Sequence, residues 1–274
     1  METVTFPQIG LTLHLSKIAF KIGNVSIYWY AILIVIAILL AFFMYKKQDG
    51  KYGIFFKDIL NMGIWVLPIA FIGARLYYVL FRFNYFWNNP LQIMNIQAGG
   101  LAIYGGILAG VITLFIYSKR HRMNFLNVLD YIVPGLALGQ AIGRWGNFIN
   151  VEAYGTQSSL WWRMGILKDG ELLEVHPTFL YESLGTFLLF GYMVYRGKHR
   201  KQSGEVTGIY IMGYAFIRMY IEGLRTDSLY LGSIRISQFI SIILFSMMLM
   251  LLIFHKKRGR SQKIKFTKNS HRID

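Results

Sequence analysis

Cysteine is absent from the 274-residue sequence, which excludes disulfides, thiolate nucleophiles and zinc–sulfur centres together. Any thiol in the chemistry must belong to another molecule. Charge is scarce too: 15% of residues are charged and 55% hydrophobic, against a charged share of about 25% in an ordinary soluble domain. Water is not the principal solvent of such a chain. Residues 1–24 lack the basic block and short apolar run of a cleavable signal peptide, so this segment is read as retained. The glycine pairs lack the strand context of a phosphate loop. The net charge of +16 comes without a nucleic-acid module.

What is present is apolar length. Seven stretches, each near the roughly 20 residues that cross a hydrocarbon core, run approximately 25–45, 59–83, 101–117, 128–149, 177–195, 206–223 and 236–254. Tyr28, Trp29, Tyr30, Tyr85, Trp87, Trp161 and Trp162 stand near their ends, as interfacial aromatic belts do. Lys46, Lys47, Lys51 and Lys57 fill the first loop, Lys119, Arg120 and Arg122 the third, Arg196, Lys198, Arg200 and Lys201 the fifth, and the tail after Phe254 is rich in both. The alternate segments hold Lys17, Lys21, Arg163, Lys168, Arg225 and Arg235. Because cytoplasmic loops carry the excess of Lys and Arg, the N-terminus is expected outside and the C-terminus inside. A basic tail against anionic lipids accounts for the net charge.

The spacing therefore predicts an all-α integral membrane protein of about seven transmembrane helices with a small extracytoplasmic head segment. Residues 1–24 form an outer N-terminal segment, 25–254 the membrane domain with an outer loop at 151–176, and 255–274 a basic cytoplasmic tail. The alternation of Leu11, Leu13 and Leu15 suggests a short extended or interfacial segment. The outer loop contains Lys168-Asp169-Gly170 between two apolar runs, a turn signal for a hairpin over 163–175.

Four arginines, Arg75, Arg82, Arg144 and Arg218, fall inside these stretches. An arginine at such depth costs about 2.5–3.5 kcal/mol on insertion scales and usually has a partner or a job. Arg82 is close enough to a boundary to snorkel. Arg218 and Glu222 are four residues apart, which fits a charge pair as well as a site. Arg144 opens the run 143–155, Gly-Arg-Trp-Gly-Asn-Phe-Ile-Asn-Val-Glu-Ala-Tyr-Gly, in which Asn147, Asn150 and Glu152 follow at near-helical spacing and offer one polar wall. With the orientation above, all these groups fall in the outer half, as do Tyr30, Tyr104, His176, Tyr181 and Glu182, so one outward-facing polar site accounts for them. Gly106 and Gly110 permit close helix packing, whereas the glycine pairs flanking Tyr104 would also let backbone amides approach an anionic headgroup.

The 143–155 run closely resembles the signature of the bacterial phosphatidylglycerol–prolipoprotein diacylglyceryl transferases. Tyr30 after Trp29, Gly73-Ala74-Arg75, the double-glycine segment at Tyr104, His176-Pro177 with Tyr181-Glu182, and residues 214–225 with Arg218 and Glu222 extend the resemblance over nearly the whole chain. It implies an enzyme of the cytoplasmic membrane, acting without cofactor or metal. Its partners would be phosphatidylglycerol, membrane lipids and a prolipoprotein signal peptide carrying a lipobox cysteine, and no nucleic acid. The reaction would form a thioether-linked diacylglyceryl group and release glycerol phosphate. On this reading Arg144, Arg218, Tyr104 and Glu222 are catalytic, and Arg144, Asn147, Asn150, Glu152, Arg75, Tyr30 and His176 bind the phospholipid. Many members carry histidine where this chain has Tyr104, and a phenol of ordinary acidity is a poor base at neutral pH. The competing reading is a transporter or lipid translocator holding an anionic substrate on its arginines, although the paired interrupted spans that mark such sites are missing.

Overall fold

Each of the seven apolar stretches carries a helix in the computed structural model, which describes residues 2–95, 99–168, 170–228 and 230–251. They are α1 (Trp29–Lys47), α2 (Phe56–Phe81), followed by a short α3 (Phe83–Asn88), α4 (Ile103–Arg120), α5 (Phe125–Asn150), α6 (Thr178–Lys198), α7 (Glu205–Leu224) and α8 (Ile236–Leu251). Among the described residues, three segments, Trp29–Lys47, Lys51–Phe81 and Phe125–Asn150, are long and apolar enough to cross a membrane. Lys46 and Lys47 end α1 and Lys119 and Arg120 end α4, where cations complement the helix dipole. Asp58 caps α2 by accepting the Phe55 N–H at 3.0 Å. Both chain ends and the basic tail lie outside the described residues.

The chain divides into two compact units, one of residues 1–41 with 133–274 and the other of residues 42–132. The first unit corrects the all-α expectation, because it contains a four-stranded antiparallel sheet. Its order is β2-β1-β5-β6, with β1 (Glu2–Phe6), β2 (Leu11–Leu15), β5 (Met164–Lys168) and β6 (Glu171–Val175). The extended piece at 11–15 and the hairpin at 164–175 were legible in the sequence. Their union was not: β1 pairs with β5 through Val4 and Ile166, joining segments distant in sequence. The inward residues Val4, Met164, Ile166 and Val175 pack on Phe148 of α5 and Phe179 of α6, so the sheet caps the helix ends where the 143–155 run lies. A second hairpin, β3 (Ile18–Ile22) with β4 (Val25–Tyr28), turns at Gly23 and leads straight into α1. A third, β7 (Tyr230–Leu231) with β8 (Ile234–Arg235), joins α7 to α8. Further along the bundle, Val133, Ala137, Leu189, Met193 and Val206 form the core of α5, α6 and α7.

The second unit is built on a close crossing of α2 and α4. A Cβ on Gly73 would sit 2.9 Å from the Gly105 carbonyl oxygen, so only glycine lets these backbones meet. Gly106 faces Ala70 and Ala74, and Gly110 faces Ala70 and Val66, which is the packing role expected of that pair. In the same unit, the Tyr131 hydroxyl donates to the Tyr45 carbonyl at 2.6 Å and the Tyr45 hydroxyl to the Ile132 carbonyl at 2.8 Å, satisfying two phenols in an apolar setting.

Candidate active site

In the first unit, three helices bring their charged residues to one point. Arg144 near the end of α5 donates through Nη2 to Glu182 Oε1 of α6 at 2.7 Å and through Nη1 to Asn147 Oδ1 at 2.9 Å. Arg218 of α7 lies 3.5 Å from the other oxygen of the same Glu182 and 2.5 Å from Glu222 Oε2. The Tyr214 hydroxyl adds a 3.4 Å contact to Glu182 Oε1. Glu182 and Glu222 are each 1% exposed. Two guanidiniums thus meet two buried carboxylates, a neutral set that makes four charges tolerable at this depth. The i,i+4 pairing of Arg218 with Glu222 is as the spacing allowed.

Glu182 is the hub, and the sequence reading placed it among the polar residues without giving it a site role. The signal was available: a carboxylate inside an apolar stretch calls for an explanation as much as an arginine does. Its neighbours hold it in register. The Ser183 hydroxyl donates to the Ala141 carbonyl at 2.8 Å and accepts the Trp145 indole N–H at 3.1 Å, fixing α6 on α5.

A polar rim continues from Arg144. Asn147 Nδ2 donates to Glu152 Oε1 at 2.8 Å and Asn150 Nδ2 to the same oxygen at 3.2 Å. These are the wall residues expected from spacing, but Glu152 reaches them by a turn and not by a continued helix. Val151 and Ala153, on either side of it, have φ of +53° and +57°, a left-handed conformation that costs a non-glycine residue about 1–2 kcal/mol. The turn is held by the Val151 N–H on the Phe148 carbonyl, the Glu152 N–H on that of Asn147 and the Thr178 hydroxyl on that of Ala153. Backbone strain of this kind clusters at functional sites. Neither valine nor alanine signals it in a sequence.

The glycines of the run have structural partners. The Tyr30 ring from α1 lies against Gly146, in space that a Cβ would occupy. A Cβ on Gly155 would stand 2.6 Å from that of His176, and the Gly155 N–H donates to the His176 carbonyl at 3.0 Å. His176 itself pairs with the Tyr181 hydroxyl at 3.3 Å, which accepts the Trp162 indole N–H at 2.7 Å. On the other flank Arg225 bridges to Gly155 and forks onto Asp227 at 2.9 and 2.7 Å. Burial works against the charge on Arg225, but Asp227, with Glu182 and Glu222, outweighs it and holds the guanidinium above its ordinary value. Burial likewise raises Asp227, and the bonds from Arg225 overcome this and pull the carboxyl below its usual range.

Arg75 and Tyr104 belong to the second unit. Arg75, expected to bind the phospholipid, directs its N–H groups to the main-chain carbonyls of Gln92, Ile93, Asn95, Gly99 and Gly100. That geometry is a loop clamp built on main-chain oxygens. The carbonyls of Gly99 and Gly100 face the guanidinium. Tyr104 lies in the first turn of α4 and is 37% exposed. Arg82, at the end of α2, is exposed with its guanidinium over the Tyr78 ring, as a boundary residue would be.

A family model described as prolipoprotein diacylglyceryl transferase matches residues 17–254. A Finegoldia magna protein named phosphatidylglycerol–prolipoprotein diacylglyceryl transferase is 47% identical over 245 residues, 89% of this chain and 97% of its own. Proteins of the same name from Clostridioides difficile and Streptococcus pneumoniae are 44% identical over 229 residues (84% of this chain, 91% of theirs) and 40% over 250 (89% and 95%). The transporter reading finds no support in these relatives.

Proposed function

Because the chain belongs to the prolipoprotein diacylglyceryl transferase family, a family of transferases, we propose that it moves the diacylglyceryl group of phosphatidylglycerol to the lipobox cysteine thiol of a prolipoprotein. The observation that carries this reading is the pair of arginines, Arg144 and Arg218, held on one buried carboxylate, Glu182. The sulfur attacks the glyceryl carbon, the carbon–oxygen bond to phosphate breaks, and glycerol phosphate departs with the new negative charge. Fixed guanidiniums aimed at that charge stabilise the transition state, and their planar fork suits phosphate oxygens. Preorganisation comes from Glu182 and Glu222, which orient both forks before substrate arrives.

Asn147 and Asn150 hydrogen-bond phosphate or glycerol hydroxyls, with Glu152 fixing both amides. Tyr30 lines the site against Gly146, and His176 shapes the loop that closes the signature. Tyr104 enters through family resemblance, as a neutral hydrogen-bond partner of the headgroup. The acceptor thiol has a reference pKa near ~8.5. With Glu182 and Glu222 committed to the arginines, a phosphate oxygen takes its proton.

Seven helices span the bacterial cell membrane in this reading, with the N-terminal segment and the 151–176 loop outside and the basic tail inside. Both substrates then reach the site laterally from the bilayer. Single cysteines near the two termini, probed with an impermeant thiol reagent in intact cells, test the orientation; labelling of the C-terminal one alone overturns it. The reaction is tested by incubating purified protein with phosphatidylglycerol and a lipobox peptide. A gain of one diacylglyceryl mass on the peptide cysteine, with release of glycerol phosphate, is the expected outcome. An unmodified peptide under conditions where the protein is folded would sink the assignment.

A further inference from the structure

Arg75 is 7% exposed on α2. Its Nε donates to the Ile93 carbonyl at 3.0 Å, Nη1 to those of Gly99 at 2.6 Å and Gly100 at 2.9 Å, and Nη2 to those of Gln92 at 2.7 Å and Asn95 at 3.1 Å. A guanidinium has five N–H donors, and these bonds use five. Below it lie the rings of Phe86 and Tyr78, 5.3 and 5.8 Å from the guanidinium carbon. Gly99 and Gly100 have φ of +81° and +84°, and this left-handed turn swings both carbonyls onto Nη1. A Cβ on Gly100 would stand 2.6 Å from Nη1 and from the Tyr78 ring, so glycine is required there because Arg75 is present. Two residues on, the Ala102 N–H donates to the Ala74 carbonyl at 3.0 Å, and α4 begins at Ile103 with Tyr104 next.

A residue recruited to hold phosphate would keep its donors for the ligand. Here a buried charge is spent on main-chain oxygens that bracket the approach to one helix start. We propose that Arg75 is a positioning residue of the transfer reaction, fixing the Gly99–Gly100 turn and hence the place and angle at which α4 presents Tyr104. This rests on the family reading that places Tyr104 in the reaction.

The test uses the full chain in phosphatidylglycerol-containing nanodiscs, with a lipobox peptide as acceptor. Arg75→Ala should lower kcat several-fold and by no more than about tenfold, the ceiling set by the one Tyr104 hydrogen bond that it positions, while the KM for phosphatidylglycerol stays within about threefold of wild type. Amide exchange over residues 91–95 and 99–105 should rise. Guanidinium ion at a non-denaturing concentration should restore part of the rate. Gly100→Ala, which leaves the charge in place, should give the same pattern, and the double variant should be no worse than either single one because both break one device. A raised KM with kcat and exchange unchanged would make Arg75 a headgroup ligand and overturn the proposal. Increased exchange with wild-type kcat overturns it too, leaving a structural clamp without influence on the reaction. Wild type that transfers nothing removes the family reading and this inference together, whereas an active wild type with kinetically silent variants removes this inference alone.

Discussion

Helices α2 and α5 are each 26 residues long, each contains one internal proline, and each carries one buried or half-buried arginine beyond it, Arg75 and Arg144. The first ends on carbonyl oxygens and the second on carboxylates. Carbonyls accept hydrogen bonds without cancelling charge, so Arg75 organises main chain around a retained cation. Carboxylates cancel the charge and pin the fork, so Arg144 and Arg218 can be aimed at something that arrives later. An arginine inside an apolar stretch therefore calls for an explanation; its partners supply it.

The strongest way to break this comparison is to remove the hub. Glu182→Gln keeps the shape, leaves Arg218 with Glu222 and takes from Arg144 its carboxylate partner. Breaking a buried ion pair costs about 3–5 kcal/mol, so a fall in the thermal midpoint larger than that of any other substitution discussed here is expected, together with loss of transfer. Midpoints and turnover measured on the same detergent-solubilised preparations decide it. A Glu182→Gln protein that melts with wild type would mean that the arginines do not depend on that carboxylate.

Arg144→Lys sharpens the contrast from the other side, since lysine keeps the charge and loses the fork. Loss of one preorganised oxyanion donor costs about 100- to 1,000-fold in kcat, and this is the expected effect, with the protein still folded. Steady-state kinetics at equal membrane abundance measure it. Normal turnover would take Arg144 out of the mechanism.

Tyr104→Phe asks whether the second unit contributes a proton acceptor or only a hydrogen bond. Loss of one neutral hydrogen bond costs about 0.5–1.5 kcal/mol, so a drop of about tenfold at most is expected. Tyr104→His over a pH series is the companion measurement. A Phe variant thousands of times slower, beside a His variant whose rate follows an ionisation near neutral pH, would make this position the base.

The helices were legible because apolar length is written directly in composition, and every one of the seven stretches carries one. The hairpin at 164–175 was legible through its Asp-Gly turn, of which Asp169 lies outside the described residues. Pairing of β1 with β5 was not, because strand partners distant in sequence leave no local periodicity. Arg144, Asn147, Asn150 and Glu152, grouped by spacing, do share one run of hydrogen bonds, and Arg218 pairs with Glu222 as the i,i+4 rule allows. The hub position of Glu182 was not legible, because its partners Arg144 and Arg218 come from other helices and leave no local pattern around it. The partners of Arg75 were not legible, because they are backbone oxygens, which every residue possesses and no sequence pattern marks.

The comparison has a third member, Arg225 with Asp227, where the pair is bidentate but the carboxylate is 49% exposed. Asp227 is held below its ordinary value, so it binds a proton less readily folded than unfolded. Its contribution to stability is then fully present above the unfolded value of about 3.9 and is lost as pH falls through the folded one. Water screens such a pair, and exposed ion pairs contribute about 0–1 kcal/mol. The midpoint difference between wild type and Asp227→Asn should therefore be small and flat from neutral pH down to about pH 5, and shrink to nothing in stronger acid. Added salt should shrink it further at neutral pH, because exposed charges are screened within about 10 Å at 0.1 M ionic strength. The Glu182→Gln difference, arising among buried groups, should stand through the same salt series. A Asp227→Asn difference that grows on acidification, or that ignores salt while the Glu182→Gln difference responds, would reverse the ranking of exposed and buried partners on which the comparison rests.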